Sequence, residues 1–142
     1  MKTKFFKPEE LTKKWYLIDA ENQVLGKIAT KAVEILKGKN KPEYSPDRDC
    51  GDYLVIVNAA KIKTTGKKTE QKTYFQHSPW VGNYKLTKLK DMLVKKPEEV
   101  IKHAIKGMLP KNHLGRELLK KVRIYGGTEH CQQAQKPEKI EL

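Results

Sequence analysis

Apolar residues recur along this chain at two distinct spacings. Leu25, Ile28, Ala29, Ala32, Val33 and Leu36 follow one another by mostly three or four positions, which lines one stripe of a helix, and Gly38 is placed to end it. Tyr53-Leu54-Val55-Ile56-Val57 is instead an unbroken run, the pattern of a strand covered on both faces. Trp15 to Ala20, behind polar Lys13 and Lys14, predicts an earlier strand. Strand, helix and buried strand in that order predict a right-handed crossover in a parallel sheet, hence an α/β fold. Pro42, Pro46, Asp47, Asp49 and Gly51 mark the loop before the buried strand.

Beyond it, Lys61 to Lys72 surrounds Thr64-Thr65-Gly66 and predicts a basic turn or hairpin tip, with Lys72 to His77 as a short strand. Thr87 is placed to cap a helix through Leu89, Met92 and Leu93. Pro97 suits the first turn of the next helix, with Glu98 and Glu99 at its positive end. Val100, Ile101, Ala104, Ile105 and Met108 form the apolar stripe of that helix, and Pro110 interrupts it. A short helix from Leu114 to Lys121 and a last core strand, Val122 to Tyr125, precede Gly126-Gly127, with an exposed tail expected from Thr128 to Leu142. The expected organisation is an N-terminal extension (1–14), one α/β domain (15–127) and a C-terminal extension (128–142). No internal repeat and no low-complexity tract is present.

Charge narrows the partner. The 142 residues carry 30 Lys+Arg against 17 Asp+Glu, a formal charge of +13, and a single domain this basic needs a polyanion. No apolar stretch approaches the ~20 residues of a spanning helix, and the cations are not confined to one amphipathic face. Nucleic acid is therefore expected as partner, and membrane is not. Cys50 and Cys131 cannot form a disulfide framework. The N-terminus shows only two consecutive apolar residues, Phe5 and Phe6, too few for a secretory leader. Reduced thiols and a cytoplasmic location are expected.

Candidate chemistry is sparse. Gly66-Lys67-Lys68-Thr69 lacks the upstream glycine and the hydroxyl directly after the lysine that a phosphate-binding loop requires. Gly26 stands without the companion glycines of a dinucleotide fingerprint. Asp47, Asp49 and Asp52 beside Cys50 are candidate metal or acid-base groups, but such residues are also ordinary loop formers and show no calcium-loop spacing. Glu129-His130-Cys131 offers no four-ligand pattern. No catalytic residue, metal, cofactor or small-molecule substrate is expected.

The cations are more informative, because they form separate clusters with few acids among them. Lys37, Lys39 and Lys41 make the first, Lys61, Lys63, Lys67, Lys68 and Lys72 the second, and Lys106, Lys111, Arg116, Lys120, Lys121 and Arg123 the third. A surface evolved only for solubility interleaves both signs. Tyr44, Tyr74, Phe75, His77 and Trp80 are interspersed, flat side chains able to stack on unpaired bases while ammonium and guanidinium groups neutralise phosphates. The basic residues, with Tyr74 and His77, are the expected RNA-binding set.

Ile105-Lys106-Gly107-Met108-Leu109-Pro110-Lys111-Asn112-His113-Leu114-Gly115-Arg116 closely resembles the signature of the large-subunit ribosomal protein L13 (uL13) family in its bacterial form. Trp15 to Ala20 with Leu25-Gly26-Lys27-Ile28-Ala29, Gly38 to Pro42, Gly51-Asp52-Tyr53 to Asn58-Ala59, Tyr125 to His130 and Ala134 to Pro137 extend the resemblance over nearly the whole chain. Pro79-Trp80-Val81-Gly82-Asn83 and Cys131-Gln132 depart from the family pattern. The resemblance implies a three-layer α/β domain with a mostly parallel four-stranded central sheet flanked by helices. It also implies a structural constituent of the large ribosomal subunit, bound to 23S-type rRNA early in assembly, beside neighbouring ribosomal proteins and without catalysis. An RNA-modifying or RNA-cleaving enzyme using Asp47, Asp49, Asp52 and His77, and a nucleoid-type DNA-binding protein, are the alternatives, though no helix-turn-helix or basic zipper is present.

Overall fold

A computed structural model of the chain describes residues 6–7 and 10–141. Strand β1 (Trp15–Asp19) runs into helix α1 (Leu25–Lys37), which leads to β2 (Tyr53–Val57), parallel to β1. Helix α1 buries Leu25, Ile28, Ala29, Ala32, Ile35 and Leu36, while Val33 of the expected stripe is half-buried. It stops at Gly38, whose φ of 72° is left-handed and whose N–H reaches the Ile35 carbonyl. A side chain there would also strike the Cys50 carbonyl, so this cap requires glycine twice over.

The central sheet has the order β5-β2-β1-β6, with β5 (Val122–Ile124) and β6 (Glu138–Ile140) at its edges and every neighbouring pair parallel. This is the four-stranded α/β fold expected. Ile140, Ile18, Ile56 and Ile124 stand in register across all four strands. They and Leu54 meet the buried faces of α1, α3 (Leu89–Lys95), α4 (Pro97–Met108) and α5 (His113–Lys120) in one core that includes Ile28, Ile35, Ile101 and Leu118. Each of these aliphatic side chains that is fully buried contributes roughly 1.5–3 kcal/mol by leaving water, and half-buried Ile124 and Ile140 contribute less. Successive side chains of β2 point to opposite faces, and Val55 on the other face is fully buried as well, so the unbroken apolar run does mark a strand covered on both sides.

Four local expectations are corrected. Thr87 caps no helix: it lies in β4 (Tyr84–Lys88), and Lys88 takes the N-cap position of α3 without a side-chain hydrogen bond. The segment 61–72 makes the expected turn, at Gly66-Lys67, but it is no hairpin tip. The Lys63 N–H reaches the Gln23 carbonyl and the Leu25 N–H the Lys63 carbonyl, which ties this segment to the start of α1, and a one-turn helix, α2 (Lys68–Gln71), follows. Residues 138–140 are not a free tail, because they supply β6. Met108 is exposed, since α4 ends there, and only Val100, Ile101 and Ile105 of its stripe are fully buried. The strand expected over Lys72 to His77 is β3 (Thr73–His77), which pairs antiparallel with β4 as a separate hairpin. No helix among the described residues is long and apolar enough to cross a membrane.

Candidate nucleic-acid interface

The basic residues divide by what they touch within the protein. Lys41 donates through Nζ to Asp52 Oδ1 at 2.6 Å and to the Thr12 carbonyl at 2.9 Å. Asp52 is fully buried and also accepts the Lys14 N–H at 2.9 Å. Lys121, buried as well, pairs with Asp49, donates to the Gly51 carbonyl at 3.2 Å and lies 5.4 Å from the centre of the Tyr53 ring. Lys13 holds the other Asp49 oxygen at 2.9 Å. Burial would raise the Asp49 carboxyl, but the hydrogen bonds from Lys121 and Lys13 outweigh it and hold the group below its ordinary range. Burial pushes the Lys121 ammonium down, and Asp49 offsets this only in part.

Lys41 and Lys121, expected at phosphates, are therefore turned inward as partners of buried carboxylates. Asp49 and Asp52 are in turn held in ion pairs that brace the loop before β2, and Asp47 accepts a hydrogen bond from Ser45. His77 stands in the separate hairpin sheet. Lys61 pairs with Glu21 at 2.8 Å and Lys120 with Glu117 at 2.9 Å. Both pairs are solvent-exposed, and such pairs contribute little and exchange readily for another anion.

Lys37, Lys39, Lys63, Lys67, Lys68, Lys72, Lys106, Lys111, Arg116 and Arg123 make no ion pair among the described residues. Several of these converge. Lys106 at the end of α4, Lys111 in the connection and Arg116 on α5 line a cleft of about 510 Å³ together with His103 and Asn112. The connection is held tightly: Asn112 caps α5 by accepting the Gly115 N–H at 2.9 Å. A Cβ on Gly115 would collide with the Pro110 carbonyl. Gly115 therefore serves internal packing, whereas Gly66 and Gly107, in the two basic segments, leave open space through which a sugar-phosphate chain could come close to the backbone.

On the opposite flank of α4, Lys68, Lys72, Thr64 and Thr65 line a second cleft of about 460 Å³ with Ala104 and Met108. The two clefts share the last turns of α4, so cations from the segment 61–72 and from the segment 106–116 flank a single helix end. Arg123 lines a third cleft with Lys102, a cation outside the expected set.

The aromatic residues separate in the same way. Tyr74 turns inward: its ring centre lies 5.4 Å from that of His103, its buried hydroxyl has no hydrogen-bond partner among the described residues, and burial raises its pKa. Lys72 Nζ stands 5.3 Å from the same ring. His77 is on the outward face of the hairpin, beside Phe75. Tyr84 and Leu86, also outward, fall outside the expected set, although the alternation Tyr84-Lys85-Leu86-Thr87-Lys88 is the period-two signal of a strand.

A family model described as Ribosomal protein L13 matches residues 13–131. "Large ribosomal subunit protein uL13" of Aquifex aeolicus (strain VF5) is 53% identical over 142 residues, covering 100% of this chain and 99% of that protein. The protein of the same name from Lawsonia intracellularis (strain PHE/MN1-00) is 51% identical over 142 residues, with 100% and 99% coverage. That from Chlorobium phaeobacteroides (strain DSM 266 / SMG 266 / 2430) is 50% identical over 141 residues, with 99% and 95% coverage.

Proposed function

The chain belongs to the ribosomal protein L13 family, and from that premise we propose that it is a structural constituent of the large ribosomal subunit that holds rRNA phosphates at the end of α4. It acts as architecture and not as an enzyme. The observation that carries the phosphate contact is the division of cations: Lys41 and Lys121 neutralise carboxylates inside the fold, while Lys68, Lys72, Lys106, Lys111 and Arg116 line two clefts on one helix end with no ion pair to an anion among the described residues. Uncompensated like charges brought this close repel one another, and an RNA backbone removes that repulsion. The planar fork of Arg116 suits a phosphate held by two hydrogen bonds. The protein works in the cytoplasm within the large subunit, joins the rRNA early in assembly and meets neighbouring ribosomal proteins there.

Sedimentation of a cell lysate tests the location: the tagged protein runs with the large subunit, and a protein left at the top of the gradient refutes it. A salt titration tests the contact. Each lost phosphate contact flattens the log-log salt dependence by about 0.7–0.9. Lys67→Ala with Lys68→Ala is expected to lower the slope for an rRNA fragment by one to two such steps, and Arg116→Ala by about one. Competition with duplex DNA should leave the rRNA complex intact.

A further inference from the structure

We infer that the outward face of the β3–β4 hairpin is a stacking platform for unpaired RNA bases. This deepens the rRNA-binding proposal and rests on it. A two-stranded ribbon with one face against a core ordinarily turns polar residues to water on the other. Here Tyr74 and Thr87 face inward and are half-buried, while the outward positions carry rings and an aliphatic side chain. Phe75 is 61% exposed, Tyr84 61% and Leu86 57%.

The rings form a continuous surface. Phe75 and Tyr84 stack with centres 5.8 Å apart and planes 24° apart, and His77 lies 5.9 Å from Phe75. Trp80, 78% exposed, projects from the connection, whose backbone is closed by hydrogen bonds from Ser78 N–H to the Asn83 carbonyl at 3.1 Å and from Asn83 N–H to the Trp80 carbonyl at 3.2 Å. Exposed apolar surface of this kind marks a binding site.

Charge identifies the occupant. From Gln71 to Lys90 there is no acidic residue, while Lys88 shares the outward face with the rings and Lys72, Lys85 and Lys90 lie in the same stretch of chain. Flat ring faces on a stretch that carries lysines and no acid match unpaired nucleotides, whose bases stack while their phosphates are neutralised. A duplex, with its bases already stacked, presents no such partner.

Trp80 provides the readout, because Trp15, the other of the two tryptophans, is stacked on Tyr53 at 4.5 Å. In the full chain at low salt, a short oligoadenylate is expected to quench the emission of Trp80, and a duplex RNA is not. Phe75→Leu and Tyr84→Leu keep apolar area but remove the ring, and each is expected to weaken oligoadenylate binding on the order of ten-fold with an unchanged salt slope. Phe75→Tyr is expected to bind as the parent does. If the leucine variants bind like the parent and Trp80 is not quenched, while Arg116→Ala still lowers the slope for rRNA, the platform is refuted and the phosphate contact stands. Leucine variants that bind RNA normally but fail to stay on the large subunit would assign the face to a protein partner and likewise refute it. A parent chain that binds no RNA at any salt removes both.

Discussion

Lys41 and Arg116 are both cations in loop-adjacent basic clusters, yet their substitution should be felt in different measurements. Lys41→Met leaves the fully buried Asp52 with one backbone donor at its Oδ1, and Asp52 Oδ2 already has no partner among the described residues. Only 16% of the Lys41 side chain is exposed, so water cannot easily replace the lost ammonium. Breaking a buried pair from one side costs about 3–5 kcal/mol, because an uncompensated charge remains. For a domain of 142 residues this lowers Tm by on the order of 10 °C. The salt slope of rRNA binding should not change while the protein stays folded. Arg116→Ala, on the exposed side of α5, should do the reverse, with Tm nearly unchanged and the slope reduced by about one phosphate contact. Thermal denaturation and salt titration of both variants decide it. A Lys41→Met protein that melts like the parent and loses slope would show that this lysine reaches RNA and that the Asp52 pair is incidental.

The remaining predictions concern the frame that presents the cations. Gly115→Ala drives a methyl group into the Pro110 carbonyl, so it is expected to destabilise by about 1–3 kcal/mol in chemical denaturation and to weaken rRNA binding by displacing Lys111 and Arg116; parental behaviour in both would contradict the packing. Val55→Asp puts a carboxylate at a fully buried position in β2, with an expected loss on the order of 4 kcal/mol, and an unchanged Tm would make the strand peripheral. Asp49 titrates below its unfolded value of 3.8 when folded, so its contribution is fully present above that pH and is lost as pH falls through the lower folded value. Asp49→Asn is therefore expected to flatten acid denaturation below about pH 4, and a profile identical to the parent's would argue against the Lys13 and Lys121 pairs.

Much of the fold is legible in local patterns. The three-and-four spacing from Leu25 to Leu36, the left-handed stop at Gly38, the apolar run of β2 and Pro97 opening α4 each act within a few residues, where periodicity and backbone sterics decide conformation. The strand β6 is not legible this way. Glu138-Lys139-Ile140 has one apolar residue, and it is a strand because Ile140 reaches the row beside Ile18 and its backbone completes the edge of β1. The hairpin strand β4 is intermediate: its alternation is written in the chain, but the apolar side of that alternation faces outward, against the expectation that such a side seeks the core.

For the interface, composition alone determined the sign of the partner. A charge of +13 demands an anion wherever the individual lysines lie, because net charge does not depend on the fold. Which cations are free to meet that anion is a tertiary matter. Lys41 and Lys121 lie 11 and 72 residues from the carboxylates that capture them. Lys68 and Arg116, 48 positions apart, flank one helix end only because α4 runs between their clefts. Ion pairing and convergence depend on distance through space, which the sequence encodes only through the assembled core.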